Sequence, residues 1–341
     1  MDAALQLESE RLARSWERHD AAMLRDYLVA DVEDPRLNVQ SLLTRHYLAC
    51  AVFGDRWREL MDAELRFAAA MNWILLAARE LRNPEDWQIV AVALARDADN
   101  AEGFAIPAFL RRLARELPAT VAGQSVPDYL REAVAALAGR ETPGESPLVA
   151  RDTFVRIWQA VLADEPAGLK PTVLEPACGS ANDYRVLAAC GLARFLDYTG
   201  FDLCAKNVAN AHALFPDARF MAGNAFAIAA PDRAYDHTFV HDLFEHLSPA
   251  GLETAVAEVC RVTRCGLCLG FFQMDETAEH VVRVVDAYHW NTLSLARMLA
   301  LFRWHGFAGE AVHIGSLLRW RFGCEHTPNP HAYTLVLSRV E

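Results

Sequence analysis

The stretch that most constrains this chain is Val173-Leu174-Glu175-Pro176-Ala177-Cys178-Gly179-Ser180-Ala181-Asn182-Asp183. A short apolar strand runs into an acid and then into a tight turn of small residues. A helical pattern follows at once, from Tyr184 to Cys190. Strand, small-residue turn and helix together bring backbone amides close to a nucleotide-like ligand. Small side chains matter because a misplaced Cβ blocks both the turn and the approach of the ligand. Gly179 alone stands where three glycines would be usual.

The next signals arrive in order. Asp197-Tyr198-Thr199-Gly200-Phe201-Asp202 reads as a second strand ending in an acid, 27 residues after Glu175. In a doubly wound sheet, an acid at that place meets the ribose hydroxyls of a bound cofactor. Arg219 to Ala225 reads as a third strand with a polar turn. Tyr235 to His241 reads as a fourth, running into Asp242-Leu243-Phe244-Glu245-His246-Leu247. In these residues, over about 170–341, the chain resembles the class I S-adenosylmethionine-dependent methyltransferases, most of all their small-molecule branch.

The resemblance implies a cofactor, S-adenosyl-L-methionine, and a set of residues to hold it. Glu175 would orient the turn and sit near the methionine amino group, and Asp202 would meet the ribose. Ala177 and Ala181 replace usual glycines beside Gly179, which leaves less room. Leu203 follows the ribose acid. Asn224 stands where the family usually has an acid facing the adenine amino group; its amide oxygen can accept the same bond, more weakly because it is uncharged. Ala225 and Phe226 would supply a backbone amide and an apolar wall. Asp242 would orient a base or contact the cofactor.

Catalytic candidates are His241, His246 and His289. His241 and His246 follow the fourth strand at the carboxyl edge, where ligands bind in such sheets. His241 is the favoured base, expected nearest the transferred methyl. Glu245 and His246 could equally be structural, for instance in starting a helix. His289 precedes a helix at the same edge. On another helix, His46 with Arg45 and Gln40 could face a substrate pocket or simply form a solvated face.

Composition narrows the partners. The 341 residues carry a net charge of −12, with −7 in residues 1–150 (17 basic against 24 acidic) and −5 in 151–341 (16 against 21). Neither half offers the basic surface that phosphate backbones need, so no nucleic acid is expected. No apolar run is long enough to span a membrane, and the acidic start does not read as a signal peptide, so no membrane partner and a cytoplasmic site are expected. The eight cysteines have no framework spacing and read as reduced thiols. Two lysines against 31 arginines, with heavy alanine use, suggest a GC-rich bacterial genome.

The expected architecture is α/β: a Rossmann-like class I sheet of seven strands, the last antiparallel, in a catalytic domain over 148–341. An all-helical domain over 1–147 precedes it, serving as acceptor pocket, lid or homodimer contact. The Pro- and Gly-rich stretch from Gly139 to Pro147 marks the boundary. Helical patterns cover 5–28, 39–53, 57–81, 86–95, 108–117, 126–138 and 151–168. Gly266 to Phe272 reads as the fifth strand, a helix follows over about 291–306, and two strands, about 310–317 and 332–339, close the sheet as a hairpin.

Two constellations are set aside. Cys265 and Cys268 have metal-ligand spacing, but in a strand positions three apart face opposite sides, so no metal is expected. Asn329-Pro330-His331-Ala332-Tyr333 is similar to the Asn-Pro-Pro-Tyr motif of methyltransferases acting on nucleic-acid amino groups, but its place in the chain puts it at the wrong end of the fold. The reading is methyl transfer to a small-molecule acceptor whose O, N, S or C atom is open. A nicotinamide-dependent Rossmann oxidoreductase and a non-catalytic cofactor-binding module are the competing readings.

Overall fold

The computed structural model describes residues 2–18, 39–54, 120–121, 124–125, 169–285, 287–322 and 329–340. Seven strands form one sheet: β1 Thr172–Pro176, β2 Asp197–Asp202, β3 Arg219–Ala222, β4 Tyr235–His241, β5 Thr263–Phe271, β6 Phe307–His313 and β7 Tyr333–Arg339. Their order across the sheet is β6-β7-β5-β4-β1-β2-β3. β7 pairs antiparallel with both neighbours, and every other pairing is parallel. The chain reverses direction across the sheet between β1 and β4, which opens a crevice at their carboxyl ends.

The inner strands of the sheet are buried on both faces, and their alternating side chains divide between two apolar clusters. Val173, Phe239 and Cys268 point to one side, where they meet Leu48 and Phe53 of α2 (Val39–Phe53), Leu187 of α3 (Asn182–Ala189) and Val208 of α4 (Ala205–Leu214). Leu174, Val240, Leu267 and Leu269 point to the other, with Leu5 and Leu12 of α1 (Ala3–Arg18), Leu252 of α5 (Pro249–Val262) and Phe302 of α6 (Leu295–Trp304).

Local chemistry sets the helix ends. Ser248 caps α5, accepting from Gly251 N–H at 3.0 Å with Pro249 in the first turn. Ser294 caps α6 in the same way, accepting from Arg297 N–H at 3.3 Å. Gly54, Gly191 and Gly306 follow α2, α3 and α6 with φ of +71°, +82° and +80°, the left-handed stop that glycine tolerates best.

Several expectations shift. The first two helices of the expected N-terminal domain pack directly on the sheet. Leu5 and Leu12 share the apolar cluster of β1, β4 and β5, and Gln40 Nε2 donates to the carbonyls of Phe271 and Tyr333 at 2.8 and 2.9 Å. The boundary near 147 and the helices expected over 57–117 and 126–168 lie outside the described residues. The strand expected to end near Leu317 stops at His313, and residues 314–322 form helix α7 (Ile314–Phe322). Cys265 is exposed while Cys268 is buried, as opposite faces of β5 require. Asn329 sits at the carboxyl edge after all: its Nδ2 donates to Phe272 O at 2.6 Å, because antiparallel β7 starts where β5 ends.

No described helix is long and apolar enough to cross a membrane.

Candidate functional site

The turn after β1 is built from left-handed backbone. Ala177, Gly179 and Ala181 have φ of +57°, +53° and +67°. The two alanines thus occupy conformations that cost an L-residue roughly 1–2 kcal/mol each, where glycine would cost little. Such strain persists only where the surroundings over-determine it. Asp202, at the end of β2, does part of that. Its Oδ2 accepts from Gly179 N–H at 2.9 Å, while Oδ1 accepts from Cys204 N–H at 2.8 Å and from Asn207 Nδ2 at 3.2 Å. Cys178 N–H is satisfied by Phe201 O at 3.0 Å. Burial raises the Asp202 pKa, opposed by these donated bonds.

Glu175 lies beneath the turn, almost fully buried. It accepts from Tyr198 Oη at 2.5 Å. Burial and the nearby Asp183 charge push its pKa well up, against that hydrogen bond. Gly200 makes the contact possible: a Cβ there would lie 2.5 Å from Tyr198 Oη. A carboxyl in this state gains most from a ligand that brings positive charge.

At the adenine end, Asn224 is already engaged. Its Oδ1 accepts from Phe226 N–H at 2.9 Å and its Nδ2 donates to Ser9 Oγ at 2.8 Å. The amide therefore shapes its own loop, with α1 as partner. Next to it, Glu8 accepts from Ser248 N–H at 2.7 Å and from Ser248 Oγ at 2.5 Å. Phe226 is buried, and Leu203 and Ala225 pack partly buried against the same cluster. No sequence pattern links residues 8 and 9 to this loop.

The three candidate histidines fall into different settings. The His241 ring is enclosed on both sides: Nδ1 is 3.0 Å from Asp183 Oδ1, and Nε2 is 2.8 Å from Thr44 Oγ1. The favoured base thus has neither nitrogen turned toward an acceptor. His246 is the opposite case. Its Nδ1 is 3.1 Å from the His289 carbonyl, which can only accept, so Nδ1 carries the proton. Among the described residues none bonds to its Nε2. Burial pushes the pKa of His246 down, partly offset by the bond to His289. His289 contributes its carbonyl, and its half-buried ring lies in a short ladder with Val284.

Aromatic rings surround His246. Phe272, Tyr288 and Trp290 have centroids 5.4, 5.7 and 5.5 Å from its own. Phe272 and Trp290 meet edge to face at 5.0 Å. Glu245 lies fully buried behind it. Its Oε1 accepts from Phe272 N–H at 2.8 Å, and Oε2 has no hydrogen-bond partner. Burial, and then the charge of Asp242, raise its pKa to about 8. Asp242 itself is exposed, at φ +51° directly after β4.

On α2, Gln40, Arg45 and His46 are buried rather than solvated. Gln40, Thr44 and Tyr47 form one stripe at helical spacing and bond to the sheet, Tyr47 Oη lying 2.7 Å from His237 Nδ1. Among the described residues no cluster of His, Cys, Asp or Glu could hold a metal ion.

Residues 173–266 match a protein family described as a methyltransferase domain. No curated protein matches the chain. Among solved structures, a Burkholderia thailandensis 1,6-didemethyltoxoflavin-N1-methyltransferase with bound 1,6-didemethyltoxoflavin and S-adenosylhomocysteine is 14% identical. It covers 57% of this chain and 83% of its own, with a TM-score of 0.39. S-adenosylmethionine-dependent methyltransferases from Methanosarcina mazei (13% identical, 51% of this chain and 94% of that one, TM-score 0.40) and Mesorhizobium loti (12%, 54% and 96%, 0.39) are similar to the same extent. The family match spans β1 to the start of β5, the same segment whose turn, acids and strand order form the crevice. Residues 173–266 thus carry a methyltransferase domain, set on a seven-stranded sheet with one antiparallel strand.

Proposed function

We propose that this protein transfers a methyl group to a small-molecule acceptor and that His246 removes the acceptor's proton. The observation that carries the reading is the state of the His246 ring. Its Nδ1–H is committed to the His289 carbonyl, and burial favours the neutral form, so Nε2 is left with a lone pair at the carboxyl edge. A neutral imidazole so oriented is a general base near neutral pH.

S-adenosylmethionine, when bound, would supply a methyl group already activated by its sulfonium. Glu175 would hold the methionine ammonium, and the amides of residues 177–181 the carboxylate. Asp202 would take the ribose hydroxyls. Leu203 and Phe226 would wall the adenine, with Asn224 and Ala225 along its edge. Asp242, exposed directly after β4, would contact the cofactor or orient the acceptor. The protein's remaining task is to hold the acceptor atom in line, about 3 Å from the methyl, and to keep water out. A base matters only when the acceptor carries a proton that must leave, as oxygen and carbon acceptors do.

The net charge of −12 disfavours a polyanionic acceptor. The rings of Phe272, Tyr288 and Trp290 favour a flat, largely apolar one. A panel of hydroxylated aromatic compounds, incubated with the protein and S-adenosylmethionine, tests this by the S-adenosylhomocysteine released. Turnover with small molecules is expected. Methylation of RNA or DNA with none of the small molecules turned over would end the reading.

A further inference from the structure

The polar chain on the α2 side of the sheet has no part in this chemistry, yet it is the most connected buried polar group at the site. Asp183 opens α3 directly after the cofactor turn. Its Oδ1 accepts from Ser41 Oγ at 3.0 Å and lies 3.0 Å from His241 Nδ1. His241 Nε2 lies 2.8 Å from Thr44 Oγ1, which in turn lies 3.4 Å from Cys268 Sγ. The side chains of His241 and Asp183 are only 12% and 19% exposed. Gly270 clears the space for the ring, since a Cβ there would lie 2.6 Å from His241 Cδ2.

We infer that Asp183, His241 and Thr44 are positioning residues for cofactor binding: the Asp183–His241 ion pair fastens the start of α3, and with it the turn 177–181, against α2. This goes beyond the acceptor chemistry proposed above and needs only the cofactor.

The turn holds two alanines in left-handed backbone, so it needs support from outside itself. Asp202 supplies it from β2 through Gly179 N–H. The ion pair supplies it from the other side. Ser41 and Thr44 come from α2, 142 and 197 residues away from their partners in sequence, so the support exists only when α2 is docked.

The arrangement also tolerates a change of charge without moving heavy atoms. With His241 protonated, Nε2–H donates to Thr44 Oγ1, whose hydroxyl can turn to Cys268 Sγ. With His241 neutral, the Thr44 hydroxyl donates to Nε2.

Charged neighbours set the balance. Burial alone would lower the pKa of His241, but the charge and hydrogen bond of Asp183, and then the charge of Asp242, raise it overall. Burial alone would raise the pKa of Asp183, but His241, the Ser41 bond and the Arg45 charge lower it overall. Glu175, beneath the turn, is pushed up by burial and by the Asp183 charge. A histidine whose folded pKa is raised gives its full contribution below its unfolded value. That contribution is lost as pH rises through the folded value. Fastening of the turn, and cofactor affinity with it, therefore weakens from neutral toward alkaline pH.

Calorimetric titration of the full-length protein with S-adenosylhomocysteine between pH 6 and 9 tests this. Wild-type affinity should fall by about tenfold across the range, the scale of one hydrogen bond to a charged group. His241→Asn keeps an amide donor toward Asp183 but carries no charge. It should bind at the weak, alkaline level at every pH. Ser41→Ala, a milder change, should weaken binding at pH 6 by about threefold, on the scale of one hydrogen bond to a charged group partly replaced. His241→Asn with wild-type affinity and pH dependence would overturn the inference. So would unchanged binding with a lost transfer rate at saturating cofactor, which would return His241 to the role of base. Should His241→Asn fail to fold, Ser41→Ala with unchanged affinity at pH 6 would overturn it instead.

Discussion

His241 and His246 are five residues apart around the end of one strand, and they sit in opposite chemistry. On the α2 side, His241 is held between Asp183 and Thr44, inside a layer whose polar groups bond to one another. On the other side, His246 leans on aromatic rings, with one nitrogen bonded to a carbonyl and the other left without a partner among the described residues. Their pKa values move in opposite directions. Burial lowers that of His246, and in His241 the Asp183 charge overcomes burial and raises it. On the function proposed above, one side of the edge would hold a ligand still and the other would exchange a proton. Closeness to the strand end is therefore a poor guide to which histidine does chemistry; the partner of each nitrogen decides.

The largest effect should come from the side assigned to proton exchange. His246→Gln should lower the single-turnover transfer rate by about 10²–10⁴-fold, the usual worth of a general base. It should leave S-adenosylhomocysteine affinity nearly unchanged. The rate of wild type should rise with pH through the lowered pKa of His246, and that dependence should vanish in the mutant. A mutant matching wild type in rate and pH profile would erase the contrast between the two sides. With a thioether or tertiary amine acceptor, which has no proton to lose, only a small positioning loss is expected.

Next in size is Glu245, the buried carboxyl behind His246. Its pKa is raised to about 8, first by burial and then by Asp242. A raised folded pKa means the folded state holds a proton that the unfolded chain gives up near pH 4–5. Stability is then greatest at low pH and declines as pH rises toward 8. Glu245→Gln keeps an acceptor for Phe272 N–H and cannot ionise. Urea unfolding should show a flatter pH profile for the mutant and greater stability than wild type at pH 9. Parallel profiles would mean that Glu245 is not the group that titrates.

Asp202 tests the holding side. Asp202→Ala should weaken S-adenosylhomocysteine binding by about 1–3 kcal/mol, because it removes hydrogen bonds to a charged acceptor and frees Gly179 N–H as well. Methyl transfer at saturating cofactor should change far less. A loss of rate with intact affinity would reverse the assignment of the two sides.

How far each side could be read from sequence differs for a physical reason. The turn 173–183, the acid of Asp202 and the strand order are written in contiguous residues with local periodicity, so they were legible. The His241 environment was not. Asp183 is recognisable only as an acid in the first turn of a helix, and Ser41 and Thr44 lie on a segment whose register against the sheet comes from folding. The α2 helix itself was legible to the residue, ending at Gly54, but its buried polar stripe reads as a solvated face until the sheet is placed beneath it. Asn329 was misplaced because one antiparallel strand returns its N-terminal end to the functional edge. The tautomer of His246 depends on a carbonyl 43 residues away, a contact that no spacing encodes.

The smallest expected effect separates strain from packing within the holding side. Ala177 and Ala181 both lie in left-handed backbone, at φ +57° and +67°. Replacing either by glycine removes a penalty of roughly 1–2 kcal/mol. Against that stands the greater freedom of glycine in the unfolded chain, worth about 0.4–1 kcal/mol. At position 177 the methyl is only partly buried, so Ala177→Gly should be neutral to stabilising by up to about 1 kcal/mol. Ala181 is fully buried within the α2-side cluster, beside residues such as Leu187 and Phe239. Removing its methyl forfeits a further ~0.8 kcal/mol of burial, so Ala181→Gly should be close to neutral, and less favourable than Ala177→Gly. The two mutants have the same chemistry and the same backbone sign, so the gap between their urea midpoints reports packing against α2. A gap of zero, or one of the opposite sign, would mean that α2 does not support the turn as the ion pair and this methyl imply.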